Sequence, residues 1–141
     1  MDEELVAALD AGDEPAAMAR AQQITDASAG GGGPIYGSTK YAVTTWVRRS
    51  AALASWAGAG IALNVIAPGV VETPMMADAL STAEGRNAVA AILPAPLNGP
   101  APATAPAALL DWLLSVENSH VTGQVVFIDG GAESLARAPR F

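Results

Sequence analysis

Apolar positions recur at helical spacing over roughly the first 57 residues and then change to short unbroken runs, so the chain reads as helices followed by strands alternating with helices. Leu5, Val6 and Leu9 form one stripe, and a second pattern runs from Pro15 through Met18 and Ala21 to about Ile24. Asp2, Glu3 and Glu4 suit the positive end of a helix dipole, Gly12 is a stop and Pro15 suits a first turn. Residues 2–29 are therefore expected to form a small helical hairpin. Gly30-Gly31-Gly32-Gly33-Pro34 follows. A phosphate-binding loop needs a strand ahead of it and a helix start behind it; a polar, helical segment precedes this run, so it reads as a flexible connector. From Tyr36 to about Ala57, the spacing of Val43, Val47, Ala51, Leu53 and Ala54 predicts a long helix that Gly58 and Gly60 end. Trp46 and Trp56 suit packing or an interface, and Arg48 and Arg49 are expected to face water or a partner.

The run Ile61-Ala62-Leu63-Asn64-Val65-Ile66-Ala67, bounded by Gly60 and Pro68, has the signature of a strand buried on both faces of a parallel sheet. The loop from Pro68 to Pro74 then lies at the carboxyl end of that strand, where open α/β sheets bind ligands. Met75, Met76, Ala79 and Leu80 predict a short helix, Val89 to Leu93 a second apolar patch, and Pro94 to Pro106 an irregular stretch. This region reads either as a mobile, methionine-bearing lid over an apolar ligand or as a flank of the core. Pro106 is expected to open a helix with Ala108, Leu109, Trp112 and Leu113 on its buried stripe. Asn118-Ser119-His120 breaks it and makes His120 a surface loop residue. Gly123 to Gly131 reads as a second buried strand closed by a glycine turn.

Composition narrows the function classes. Half of the 141 residues are apolar and 15% are charged, which is enough for one domain with a core. The net charge of −7 argues against a nucleic-acid partner. With no cysteine, disulfides and thiolate metal sites are excluded, and no metal is expected. The start, Met1-Asp2-Glu3-Glu4, is acidic where a signal peptide needs positive charge, and no apolar run reaches the ~20 residues of a membrane span. The expectation is a cytoplasmic protein with no membrane partner.

The candidate chemistry lies in Ile35-Tyr36-Gly37-Ser38-Thr39-Lys40. Positions four apart share a helix face, so Tyr36 and Lys40 point the same way. A lysine cation within a few ångströms favours the phenolate over the phenol, as a general acid/base serving an alcohol–carbonyl interconversion requires. Two further stretches follow in order: Asn64-Val65-Ile66-Ala67-Pro68-Gly69 with Thr73 behind it, and Val121-Thr122-Gly123-Gln124 leading to Asp129-Gly130-Gly131. Together the three resemble the C-terminal half of a short-chain dehydrogenase/reductase. The helical segment before the tyrosine and the ending Arg137-Ala138-Pro139-Arg140-Phe141 resemble the bacterial 3α-hydroxysteroid dehydrogenase/carbonyl reductase branch.

That resemblance implies an α/β fold, a partial Rossmann-like doubly wound parallel sheet that lacks the N-terminal βαβ half and is preceded by a helical hairpin. Residues 1–29 correspond to the helical insertion and 30–141 to the C-terminal half of the domain, with a substrate lid over about 74–106. It implies an NAD(P)-dependent oxidoreductase that interconverts a secondary alcohol and a ketone or aldehyde, with a hydroxysteroid or similar apolar carbonyl as substrate. Tyr36 is then the proton donor and acceptor. Lys40 holds the nicotinamide ribose and favours ionisation of the tyrosine. Pro68 and Gly69 shape the cofactor loop, while Val71 (through its backbone) and Thr73 (through its side chain) hold the carboxamide and phosphate region of NAD or NADP. The family's glycine-rich dinucleotide turn, Asn-Ala-Gly strand end and catalytic serine have no counterpart here, and Ser28 is not a substitute for that serine. Asn98-Gly99 stands where the family usually has Gly-Arg. Two expectations follow: a homo-oligomer or a complementary N-terminal half as partner, and, as the alternative function, a truncated, inactive fragment or one piece of a split or mis-started enzyme.

Overall fold

The computed structural model describes residues 1–27 and 32–137. The expectations for Ser28, for Gly30 and Gly31, and for residues 138–141 fall outside the described residues. Contacts divide the chain into two compact units, Met1–Leu63 and Asn64–Phe141. The helix candidate carrying Tyr36 and Lys40 falls in the first unit.

In the first unit, helices α1 (Glu3–Ala11), α2 (Glu14–Ala27) and α3 (Gly32–Ser50) pack together. Asp2 caps α1 by accepting the Leu5 N–H at 2.9 Å. Gly12 closes the helix with a left-handed φ of 69°, its N–H reaching back to Ala8 and Leu9 carbonyls. The core of this unit is small: Leu5 from α1, Ala17 from α2, Ala42 and Val47 along α3, and Ala51 just past its end.

Two sequence expectations change here. Helix α3 begins at Gly32, so Gly32, Gly33 and Pro34 belong to its first turn and not to a connector. First-turn N–H groups have no intrahelical acceptor, which lets proline sit there at no cost. The helix also ends at Ser50, seven residues before the expected stop at about Ala57. From Ala51 the backbone tightens into i+3 turns, ending in a 3-10 turn at Ala57–Ala59 that Gly60 closes. This reversal brings Trp56 back edge-on to Trp46, with ring centroids 6.0 Å apart. Arg49 does not simply face water: it donates to both carboxylate oxygens of Asp10, at 2.8 and 3.2 Å.

In the second unit, β1 (Val65–Pro68) pairs in parallel with β4 (Val125–Ile128), Val65 opposite Val125 and Pro68 opposite Ile128. The strand expected over Ile61–Ala67 is therefore shorter and shifted toward its carboxyl end. Asn64 explains the shift, because its side chain donates to the Val121 carbonyl at 2.7 Å and accepts the Gln124 N–H at 3.0 Å. That staple sets where pairing begins. Val65, Ile66 and Ala67 are half-buried and Pro68 is exposed, so the strand is not enclosed on both faces; Ile61 is exposed as well. Helix α6 (Thr104–Leu114) packs on β1 with Leu113 buried; Pro106 is its third residue and not its opener.

A second parallel pair was not foreseen. Strand β2 (Val71–Glu72) lies against β3 (Ala101–Pro102), inside the stretch expected to be irregular, and the Ala101 N–H donates to the Val70 carbonyl at 2.9 Å. Between these strands run a 3-10 turn (Pro74–Met76), α4 (Ala77–Ser81) and α5 (Ala83–Ile92). The turn at Asn98-Gly99 has left-handed φ at both residues, 63° and 73°, a pairing that asparagine and glycine tolerate best. Helix α7 (Ala132–Ala136) follows β4.

Candidate active site

Tyr36 sits five residues into α3, and the Lys40 ammonium one turn on lies 5.3 Å from the centre of its ring. The predicted shared face is thus present, and both side chains are exposed. The contact is a cation over an aromatic face. Among the described residues no carboxylate pairs with Lys40, so its charge is directed at the tyrosine and at whatever approaches that face. Ser38 and Ala42 make the opposite, buried face of the helix.

In the second unit, Pro68, Gly69, Val71 and Thr73 follow one another around the carboxyl end of β1. Gly69 donates its N–H to Ile128 at 3.1 Å. A Cβ at residue 69 would come within 2.8 Å of the Asp129 backbone, so the close approach of this turn to the end of β4 requires glycine. The glycine is needed first by the protein's own backbone. Asp129 is itself committed, accepting from the N–H groups of Gly131 at 2.9 Å and Glu133 at 2.7 Å at the start of α7. Val71 is held in β2, and Thr73 precedes the Pro74–Met76 turn in extended conformation with its hydroxyl making no capping bond. The Thr73 hydroxyl is thus not spent on capping the turn that follows it.

Beside this loop is an open pocket of about 500 Å³, lined by Gly69, Ile92, Leu93, Phe127 and Leu135 among others. Arg137 stands at its edge, 5.6 Å from the Phe127 ring and paired with Glu133 at 2.8 Å. His120 is exposed and bonds the neighbouring Ser119 hydroxyl at 2.8 Å, as expected for a loop residue. Among the described residues no group of three or more metal-ligating side chains occurs, and no helix is long and apolar enough to cross a membrane. The roles of Asn64 and Asn118 were missed in the sequence. Asn118 donates to the Leu113 and Val121 carbonyls at 3.0 and 3.1 Å and accepts from the Val121 N–H at 2.9 Å. For Asn64, an asparagine inside an apolar run was the available signal.

A family model described as enoyl-(acyl carrier protein) reductase matches residues 8–133. The 3-alpha-hydroxysteroid dehydrogenase/carbonyl reductase of Comamonas testosteroni is 36% identical over 138 residues, covering 97% of this chain and 51% of that protein. The 3-alpha-hydroxysteroid dehydrogenase of Pseudomonas sp. B-0831, solved in complex with NADH, superposes with a TM-score of 0.77 at 35% identity, over 97% of this chain and 51% of its own. A putative 2-deoxy-d-gluconate 3-dehydrogenase of Agrobacterium tumefaciens with bound NADP gives a TM-score of 0.62 at 29% identity, over 74% and 40%. The chain spans about half the length of the relatives it matches, and its parallel strands and helices make a partial Rossmann-like fold. It belongs to the short-chain dehydrogenase/reductase family.

Proposed function

We propose that this chain supplies the acid/base pair and the nicotinamide-facing loop of an NAD(P)-dependent oxidoreductase that interconverts a secondary alcohol and a ketone. The observation that carries the reading is the Tyr36–Lys40 pair, with the ammonium 5.3 Å from the phenol ring on the exposed face of α3. Tyr36 takes the alcohol proton during oxidation and returns it to the carbonyl oxygen during reduction. Lys40 stabilises the phenolate and holds ribose hydroxyls. Pro68 and Gly69 shape the loop, and the Val71 backbone and Thr73 hydroxyl orient the carboxamide. The nicotinamide, when bound, accepts or delivers hydride.

A hydroxysteroid or similarly apolar carbonyl compound is the substrate class we assign. The support is the naming of two relatives as hydroxysteroid dehydrogenases and the apolar side chains exposed along residues 74–93, Met75 and Ile92 foremost. In the gene product carrying this chain, reduction of NAD or NADP is expected to depend on an added cyclic secondary alcohol. Lys40→Met is expected to raise the KM for the cofactor and to slow turnover together. Alcohol-independent reduction, or kinetics unaltered by Lys40→Met, contradicts the assignment.

A further inference from the structure

The Ser38 hydroxyl is fully buried on the helix that carries Tyr36 and Lys40, and no step above uses it. Its oxygen accepts the Asp2 N–H at 2.7 Å, and its proton goes to the Asp2 carbonyl at 3.3 Å, 36 residues away in sequence. Asp2 is also the cap of α1. Its carboxylate receives Arg20 of α2 as a fork, Nε to Oδ1 at 3.0 Å and Nη2 to Oδ2 at 2.8 Å. The remaining Arg20 nitrogen reaches Glu4 at 2.9 Å and Gln23 at 3.1 Å. Three helices are tied together at one aspartate.

The place of attachment matters. Ser38 stands two residues from Tyr36 and two from Lys40, about 200° around the helix from each. The tie therefore grips α3 from behind the acid/base face. The turns it grips are intrinsically weak, because Gly32, Gly33 and Gly37 are poor helix formers. At Gly37 no steric demand for glycine exists, since a Cβ there meets nothing within 4 Å.

We propose that Asp2, Arg20 and Ser38 form a clamp through which the α1–α2 hairpin fixes the rotation and register of α3, and so the direction in which Tyr36 and Lys40 are presented. These are positioning residues, since none touches a reacting atom. The effect on turnover rests on the acid/base reading of Tyr36; the effect on helix order does not.

The test measures amide hydrogen exchange across residues 36–40 of the full chain, and kcat and KM of the gene product carrying it, for Ser38→Ala and Asp2→Asn. Asparagine keeps the cap but loses the charge that Arg20 pairs with. Ser38→Ala is expected to speed exchange at residues 36–40 about tenfold relative to α5, and to lower kcat about tenfold at unchanged KM. Asp2→Asn is expected to do both to a smaller degree, and Arg20→Lys to retain more kcat than Arg20→Met. Unchanged exchange in both variants overturns the clamp, whatever turnover does. Faster exchange with unchanged kcat, in an enzyme that Tyr36→Phe disables, overturns the positioning role. If Tyr36→Phe leaves turnover intact, the acid/base reading has failed and exchange alone decides the clamp.

Discussion

A methyl group at residue 69 has nowhere to go, because it would lie 2.8 to 3.1 Å from three Asp129 atoms, two of them backbone. Gly69→Ala is therefore expected to lower stability by about 1–3 kcal/mol, the usual cost of forcing extra carbon into a packed site, read as a drop in Tm. At Asp2, the hydrogen bonds from Arg20 and then from the Leu5 N–H hold the carboxyl at about 2 against an ordinary 3.8. The folded chain thus binds this proton more weakly than the unfolded chain. Its contribution is present above the unfolded value and is lost as pH falls from about 4 through about 2. Thermal melts followed by circular dichroism are expected to show Asp2→Asn less stable than the parent near neutrality. The difference should shrink with acidification and close near the folded value. A gap that persists unchanged at the acid end contradicts this account. Such residue-level ties were only partly legible. The acidic first turn announced a helix start, but nothing in the spacing tied Asp2 to Arg20 and Ser38, which tertiary packing brings together.

At the scale of elements, local chemistry was the readable part. Gly12 stops α1 as its left-handed φ requires, and the Tyr36–Lys40 spacing survives because both residues lie well inside α3. The ends of elements were less legible, because partners set them. Strand β1 extends only as far as its four-residue partner β4, and Asn64 fixes its start. The β2–β3 pair consists of two residues on each side, 30 apart, too short to leave a pattern. Asn64→Ala leaves the Gln124 N–H without its acceptor and removes a donor to the Val121 carbonyl. One bond is part-buried and the other exposed, so a loss of about 0.5–1.5 kcal/mol is expected, measured by denaturant unfolding, with faster amide exchange along β4. An effect within experimental error would show that the staple does not set the register.

At the scale of the whole molecule, each sheet has two strands among the described residues, and two-stranded sheets are marginal without cover. Large apolar side chains also stand exposed, including Trp112, Leu114, Val116 and Phe127. Sedimentation is expected to show self-association that grows with protein concentration; a monomer across the micromolar range contradicts that expectation. Family membership rests on matches over 97% of the chain, while the proposed chemistry rests on one pair of side chains. The most direct test of that chemistry is the single-turnover rate of hydride transfer from a secondary alcohol, in the gene product carrying this chain, before and after Tyr36→Phe. Removing one oxygen from an exposed side chain leaves the fold in place, and the rate should fall about 10²- to 10⁴-fold. A rate unchanged by the substitution would show that Tyr36 does not move the proton.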